Sequence, residues 1–108
     1  MKDINLFTST KLELDQRLYN ELKSLGVVQS QSDLGKLCGK KDSYFACMRH
    51  KGFGLQLGSL AFLANRLEKK AQKETDAQRS LQMQQAIHVV RQTLNEKCRL
   101  RELELNND

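Results

Sequence analysis

Between Ser30 and Gly52 the chain sets Lys36, Lys40, Lys41, Arg49 and Lys51 against only Asp33 and Asp42, a local charge of +3. Cations at that density attract polyanions, phosphate above all, through a force that needs no particular partner sequence. The same stretch holds Cys38, Cys47 and His50, three groups with the chemistry of metal ligands. A structural zinc site wants four ligands and usually begins with a tighter Cys-x-x-Cys pair, so no metal and no cofactor is expected. Cys98 makes the thiols an odd number at spacings that fit no disulfide scaffold, and all three are read as reduced. Two His, no glycine-rich phosphate loop after a strand and no acid-base constellation of His, Cys or carboxylates argue against an enzyme.

The elements that must carry these side chains are helical. No Pro occurs, Gly is sparse, aromatic residues are 6% of the chain, and Leu, Lys, Glu, Gln and Arg dominate, which points to an all-α protein. A length of 108 residues suits one domain with an appendage. From Thr10 onward Leu14, Leu18, Leu22 and Leu25 recur at helical spacing, and Gly26 ends that first helix. Ser30 with Asp33 three residues later is a variant of the capping box and starts a second helix, whose inner residues Leu34, Leu37 and Cys38 precede the stop at Gly39. Residues 40–43 read as a turn with a fresh cap, and Tyr44, Phe45 and Met48 as the buried side of a third helix closed by Gly52 and Gly54. A fourth starts near Gln56 and turns Leu57, Leu60, Ala61, Leu63, Ala64 and Leu67 inward, completing a compact unit over residues 1–69.

Residues 70–82 read as a polar spacer, helical or flexible, and residues 83–108 as a long C-terminal helix. Along that helix Met83, Ile87, Val90, Leu94 and Cys98 repeat at steps of three and four. Such a seam either joins two copies into a homodimer, the preferred reading, or packs back onto helix 1 of the same chain. His88 beside it is read as the flank of a packed helix. The N-terminal segment has no apolar stretch of signal-peptide length and no run of 18 apolar residues exists, so a cytoplasmic protein without a membrane partner is expected.

The segment QSDLGKLCGKKDSYFACMRHKG resembles the helix-turn-helix of the lambda-repressor-like regulators, and GSLAFLANRLEK resembles the Leu-rich helix that follows it there. Gly35 stands at the small residue where the two helices cross, Gly39 at the turn glycine, and Phe45 and Met48 at the apolar residues six and nine positions beyond it. Two positions depart from the pattern: Lys40 replaces an apolar residue, and Gly35 stands where Ala is commoner. The resemblance covers about residues 18–69. It implies a compact four-helix DNA-binding domain with the helix around residues 43–51 in the major groove. On that basis Gln31, Lys36, Lys40, Lys41, Arg49 and Lys51 face phosphate, while Ser43, Tyr44, Ala46, Cys47 and His50 face base edges. Read from the residues alone, Tyr44 is rather a partly buried core residue with its hydroxyl at the surface, and His50 is equally an ordinary exposed helix end. Asp42 is read as a helix cap in preference to an acceptor for cytosine.

The expected function is therefore sequence-specific binding of double-stranded DNA, as a small repressor on a palindromic operator and without a small-molecule substrate. The competing reading keeps the helix-turn-helix as a scaffold for binding another protein. Gly39 is structural on either reading, because the end of helix 2 requires a positive φ that a β-branched side chain resists. Gly39→Val is expected to lower stability by about 1 kcal/mol or more in thermal unfolding.

Overall fold

Five helices order the chain: α1 Lys2–Ser24, α2 Gln31–Leu37, α3 Tyr44–His50, α4 Leu57–Lys73 and α5 Ala77–Asn106. This computed structural model describes residues 2–52 and 54–106, with side chains from Leu12 onward, and holds no strand among them. The chain is thus all-helical with a long C-terminal helix, as its composition demands. Among the described residues no helix is long and apolar enough to cross a membrane.

The helix ends follow local chemistry. α1 begins well before Thr10, since no Gly or Pro interrupts residues 3–9. It closes in a Schellman turn at Gly26, φ +76°, where Val27 N–H donates to the Leu22 carbonyl at 2.9 Å and Gly26 N–H to that of Lys23 at 3.0 Å. Residues 70–82, read as a polar spacer, are helical apart from residues 74–76. α4 runs on to Lys73 and α5 starts at Ala77, leaving a corner of only three residues. Asp76 builds that corner without Gly or Pro: its carboxylate accepts from Arg79 N–H and its carbonyl from Ser80 N–H, both at 2.9 Å.

So short a corner folds α5 back along α4, and α5 packs against α1 as well. One core results. Leu18, Tyr19 and Leu22 of α1, Leu34 of α2, Phe45 of α3, Leu60, Leu63 and Leu67 of α4, and Ala86 and Val90 of α5 all belong to it. Part of the seam expected to join two copies packs inside the chain. Val90 is fully buried, Ile87 and Leu94 pack partly buried on the same core, and Met83 borders a cavity of about 200 Å³ beside Leu25, Val27, Leu37 and Leu67. The true inner row is Ala86, Val90, Thr93, Lys97 and Leu100, and Cys98 is exposed. Leu57 and Ala61, expected inside, lie exposed on α4.

Lys97 on that inner row meets Asp15 of α1, with Nζ and Oδ1 2.5 Å apart and side chains 4% and 0% exposed. Both ions also hold the main chain of Leu55, in the loop between α3 and α4. Leu55 N–H donates to Asp15 Oδ2 at 2.7 Å, and Lys97 donates to the Leu55 carbonyl at 2.8 Å. Burial pushes the Asp15 carboxyl above its ordinary range, against the opposing pull of Lys97, the Leu55 amide and Arg49. Removing one member of such a pair leaves the other charge buried and alone. Lys97→Met is expected to cost about 3–5 kcal/mol in urea unfolding. The neutral pair Asp15→Asn with Lys97→Met should then be less destabilised than the two single costs added, by about 1–3 kcal/mol.

Candidate nucleic-acid interface

α2 and α3 have seven residues each, too few to be stable alone, so their neighbours must hold them. At the start of α2 the Ser30 hydroxyl accepts from Asp33 N–H at 3.2 Å, and the Asp33 carboxylate accepts from Gln29 N–H at 2.9 Å. This is the capping box read from sequence, with the acid reaching one residue further back. α2 ends in a second Schellman turn at Gly39, φ +75°: Lys40 N–H donates to the Gly35 carbonyl at 3.0 Å and Gly39 N–H to that of Lys36 at 2.9 Å. From α4 the Arg66 guanidinium donates to the carbonyls of Lys36 at 2.9 Å and Leu37 at 3.4 Å, capping the same end.

Gly35 lies where the turn crosses α2. A Cβ there would stand 2.7 Å from the Lys41 carbonyl oxygen and 3.4 Å from that of Asp42. The exchange of Ala for Gly in the resembling motif therefore has a local cause, since backbone fills the space a methyl group would need. Ser43 occupies the N-cap position of α3, but its side chain makes no cap bond. Asp42, read as a cap, instead lies exposed 3.8 Å from Lys36 Nζ. α3 is fixed from behind: Phe45 is fully buried with its ring centroid 5.7 Å from that of Tyr19, and Met48 is 8% exposed.

With Phe45 and Met48 inward, Ser43, Ala46, Cys47 and His50 share the opposite, exposed side of α3. Lys36, Lys40, Lys41 and Lys51 are exposed around them, and Gln31 is half-buried at the start of α2. Two residues assigned to DNA are engaged elsewhere. The Tyr44 hydroxyl shares a 2.8 Å hydrogen bond with Ser59 of α4, and Lys40 Nζ lies 5.7 Å from the centre of its ring. Tyr44 is thus a brace between α3 and α4, the partly buried alternative considered for it. Arg49 turns toward α1, where its guanidinium donates to Gln16 and lies 5.8 Å from the Phe45 ring centre. Its place about one-third of a turn from the middle of the exposed row lets it reach α1 and anchor the helix. Cys38 is buried, and burial pushes its thiol up to about 11, so it stays protonated at neutral pH.

Asp15, Gln16, Ser59, Arg66 and Lys97 were not singled out by sequence reasoning. A charge on an otherwise apolar stripe, as at Asp15 beside Leu14 and Leu18, is the signal that could have found the first of them. Gly35→Ala is expected to lower stability by about 1–3 kcal/mol, through the displaced turn, in chemical denaturation. A variant as stable as the parent would show that the turn can move away at no cost.

Over residues 16–106 the chain matches the model of a family of unknown function, DUF6626. No curated protein and no solved structure matches it. The matched segment takes in the whole α2–α3 hairpin with α4 and α5, and the chain belongs to the DUF6626 family.

Proposed function

We propose that this protein binds double-stranded DNA sequence-specifically as a small transcriptional regulator, with α3 in the major groove. One observation carries the reading: a short helix, fixed from behind, presents small and polar side chains outward, with exposed lysines on α2, in the turn and at its own C-terminal end. Ser43, Cys47 and His50 would meet base edges, and Ala46 allows close approach and contact with a thymine methyl group. Lys36, Lys40, Lys41 and Lys51, with Gln31, would meet phosphate. Arg49 and Tyr44 are withdrawn from direct contact and hold the helix instead. Repression is the simplest mode, since it requires only that an operator be occupied.

A seven-residue helix reaches few base pairs, so the operator is proposed to be a palindrome bound by two chains, with half-sites about 34 Å apart. Of Met83, Ile87, Val90 and Leu94, read from sequence as a pairing seam, Val90 is buried within the chain and the other three keep part of their surface exposed. Selection from a random duplex pool, followed by sizing of the complex, tests this reading. A failure to shift any duplex even at low salt would leave the hairpin as a protein-binding scaffold.

The two sets of residues should separate in titrations across salt concentrations. Lys41→Ala and Lys51→Ala are expected to weaken selected and random duplexes alike, each lowering the salt slope by about one unit. Ser43→Ala and His50→Ala should change the preferred sequence and leave the slope in place. Fluorescence anisotropy against both duplexes measures each quantity, and a reversal of the two patterns would contradict the assignment.

A further inference from the structure

We infer that the Asp15–Lys97 pair is a positioning device for α3, which makes α5 part of the DNA-reading unit although it lies outside the helix-turn-helix. The inference rests on the DNA-binding reading for its purpose, and on the geometry alone for its mechanism. Lys97 and Asp15 hold Leu55 by its carbonyl and its amide. The adjoining Gly54 donates its N–H to the Met48 carbonyl, inside α3, at 3.3 Å. A chain of direct contacts thus runs from α5, through the ion pair and two loop residues, to the last turns of α3.

Gly54 shows how closely the loop is gripped. Its φ is +69°, and a Cβ there would lie 2.4 Å from Asp15 Oδ2 and 3.3 Å from Lys97 Nζ. Only glycine lets the backbone press against both ions. The next residue of α1 takes a second hold, since Gln16 accepts from Arg49 of α3. Two consecutive residues of α1 therefore fix both the end of α3 and the loop that leaves it. An apolar pair would fill the same space, but it would leave the Leu55 amide and carbonyl without partners and the loop without a defined place. Precise placement matters here because the exposed side of α3 carries no long side chain that could bend to compensate for a displaced helix.

Amide hydrogen exchange on the full chain, without DNA, tests the mechanism, and Leu67→Ala, ten residues along α4 from the loop, serves as a destabilised reference. Lys97→Met should strip protection from the amides of residues 49–52 and 54–56, Leu55 foremost, by about tenfold or more beyond its effect on Ala64 and Ala86. Leu67→Ala should show no such local excess. A uniform loss in Lys97→Met would overturn the inference and reduce the pair to bulk stabilisation. If Lys97→Met does not fold, Asp15→Asn with Lys97→Met removes both charges and keeps an acceptor for Leu55. Its Leu55 carbonyl still loses its donor, so the local excess should persist.

The purpose is tested with a duplex selected from a random pool, at a temperature where each variant is folded. The ratio of selected to random affinity should fall about tenfold or more in the clamp variant, with the salt slope unchanged, while Leu67→Ala keeps the parent ratio. An unchanged ratio in a variant whose loop exchanges freely would overturn the positioning role. If the parent protein binds no duplex at all, the DNA reading fails, and the exchange data still decide whether the clamp holds α3.

Discussion

The loop that leaves α3 is held by one buried ion pair. Asp15 and Lys97 lie 82 positions apart in sequence, and each gives up water to meet the other in the interior. Desolvation makes such a pair poor value as a source of stability, and it persists where it settles something else. Here it settles the path of a loop. Leu55 is 3% exposed, so its amide and carbonyl cannot turn to water and must find partners. Asp15 and Lys97 are those partners. The ions also satisfy each other, which lets one arrangement bind α1, α5 and the α3–α4 connection into a single unit.

The hairpin shows the same dependence at smaller scale. Neither seven-residue helix would survive in isolation, and most of what holds them comes from outside. Arg66 caps α2 from α4, Ser59 braces Tyr44 from α4, and Gln16 and Tyr19 secure Arg49 and Phe45 from α1. Gly35 lets the turn cross close above α2, which brings the backbone of residues 41 and 42 against the helix. Close crossing keeps the connection short, and a short connection fixes α3 relative to α2. The surface that faces outward is therefore a product of the whole fold.

Much of this was legible in the sequence because it rests on local chemistry. Gly26 and Gly39 terminate helices by adopting positive φ, Ser30 caps α2, and Phe45 and Met48 point inward by helical spacing alone. Long-range features were hidden for definite reasons. The inner row of α5 contains Thr93 and Lys97, so the large apolar residues alone mark out an adjacent row running through Met83, Leu94 and Cys98. The α4–α5 corner uses an aspartate cap and neither Gly nor Pro, and so looked like an uninterrupted polar stretch. Arg49 looked like a phosphate contact because its charge can be read from sequence, whereas its partners Gln16 and Phe45 lie elsewhere in the fold.

The exposed row of α3 explains why positioning matters so much to the proposed activity. Ser43, Ala46, Cys47 and His50 include none of the long side chains, Arg, Lys, Asn or Gln, that reach a base by paired hydrogen bonds from a distance. Short groups must be brought to the base edge by the backbone itself. In the proposed complex the exposed lysines would supply attraction toward the duplex but could not fix the depth or rotation of the helix, because Lys makes flexible, single-point contacts with phosphate. Depth and rotation must then come from within the protein. In the proposed complex, lysines for attraction, a small-residue helix for contact and a buried clamp for alignment would complement one another, and the weaker the reach of the contacting side chains, the more that reading would depend on the clamp.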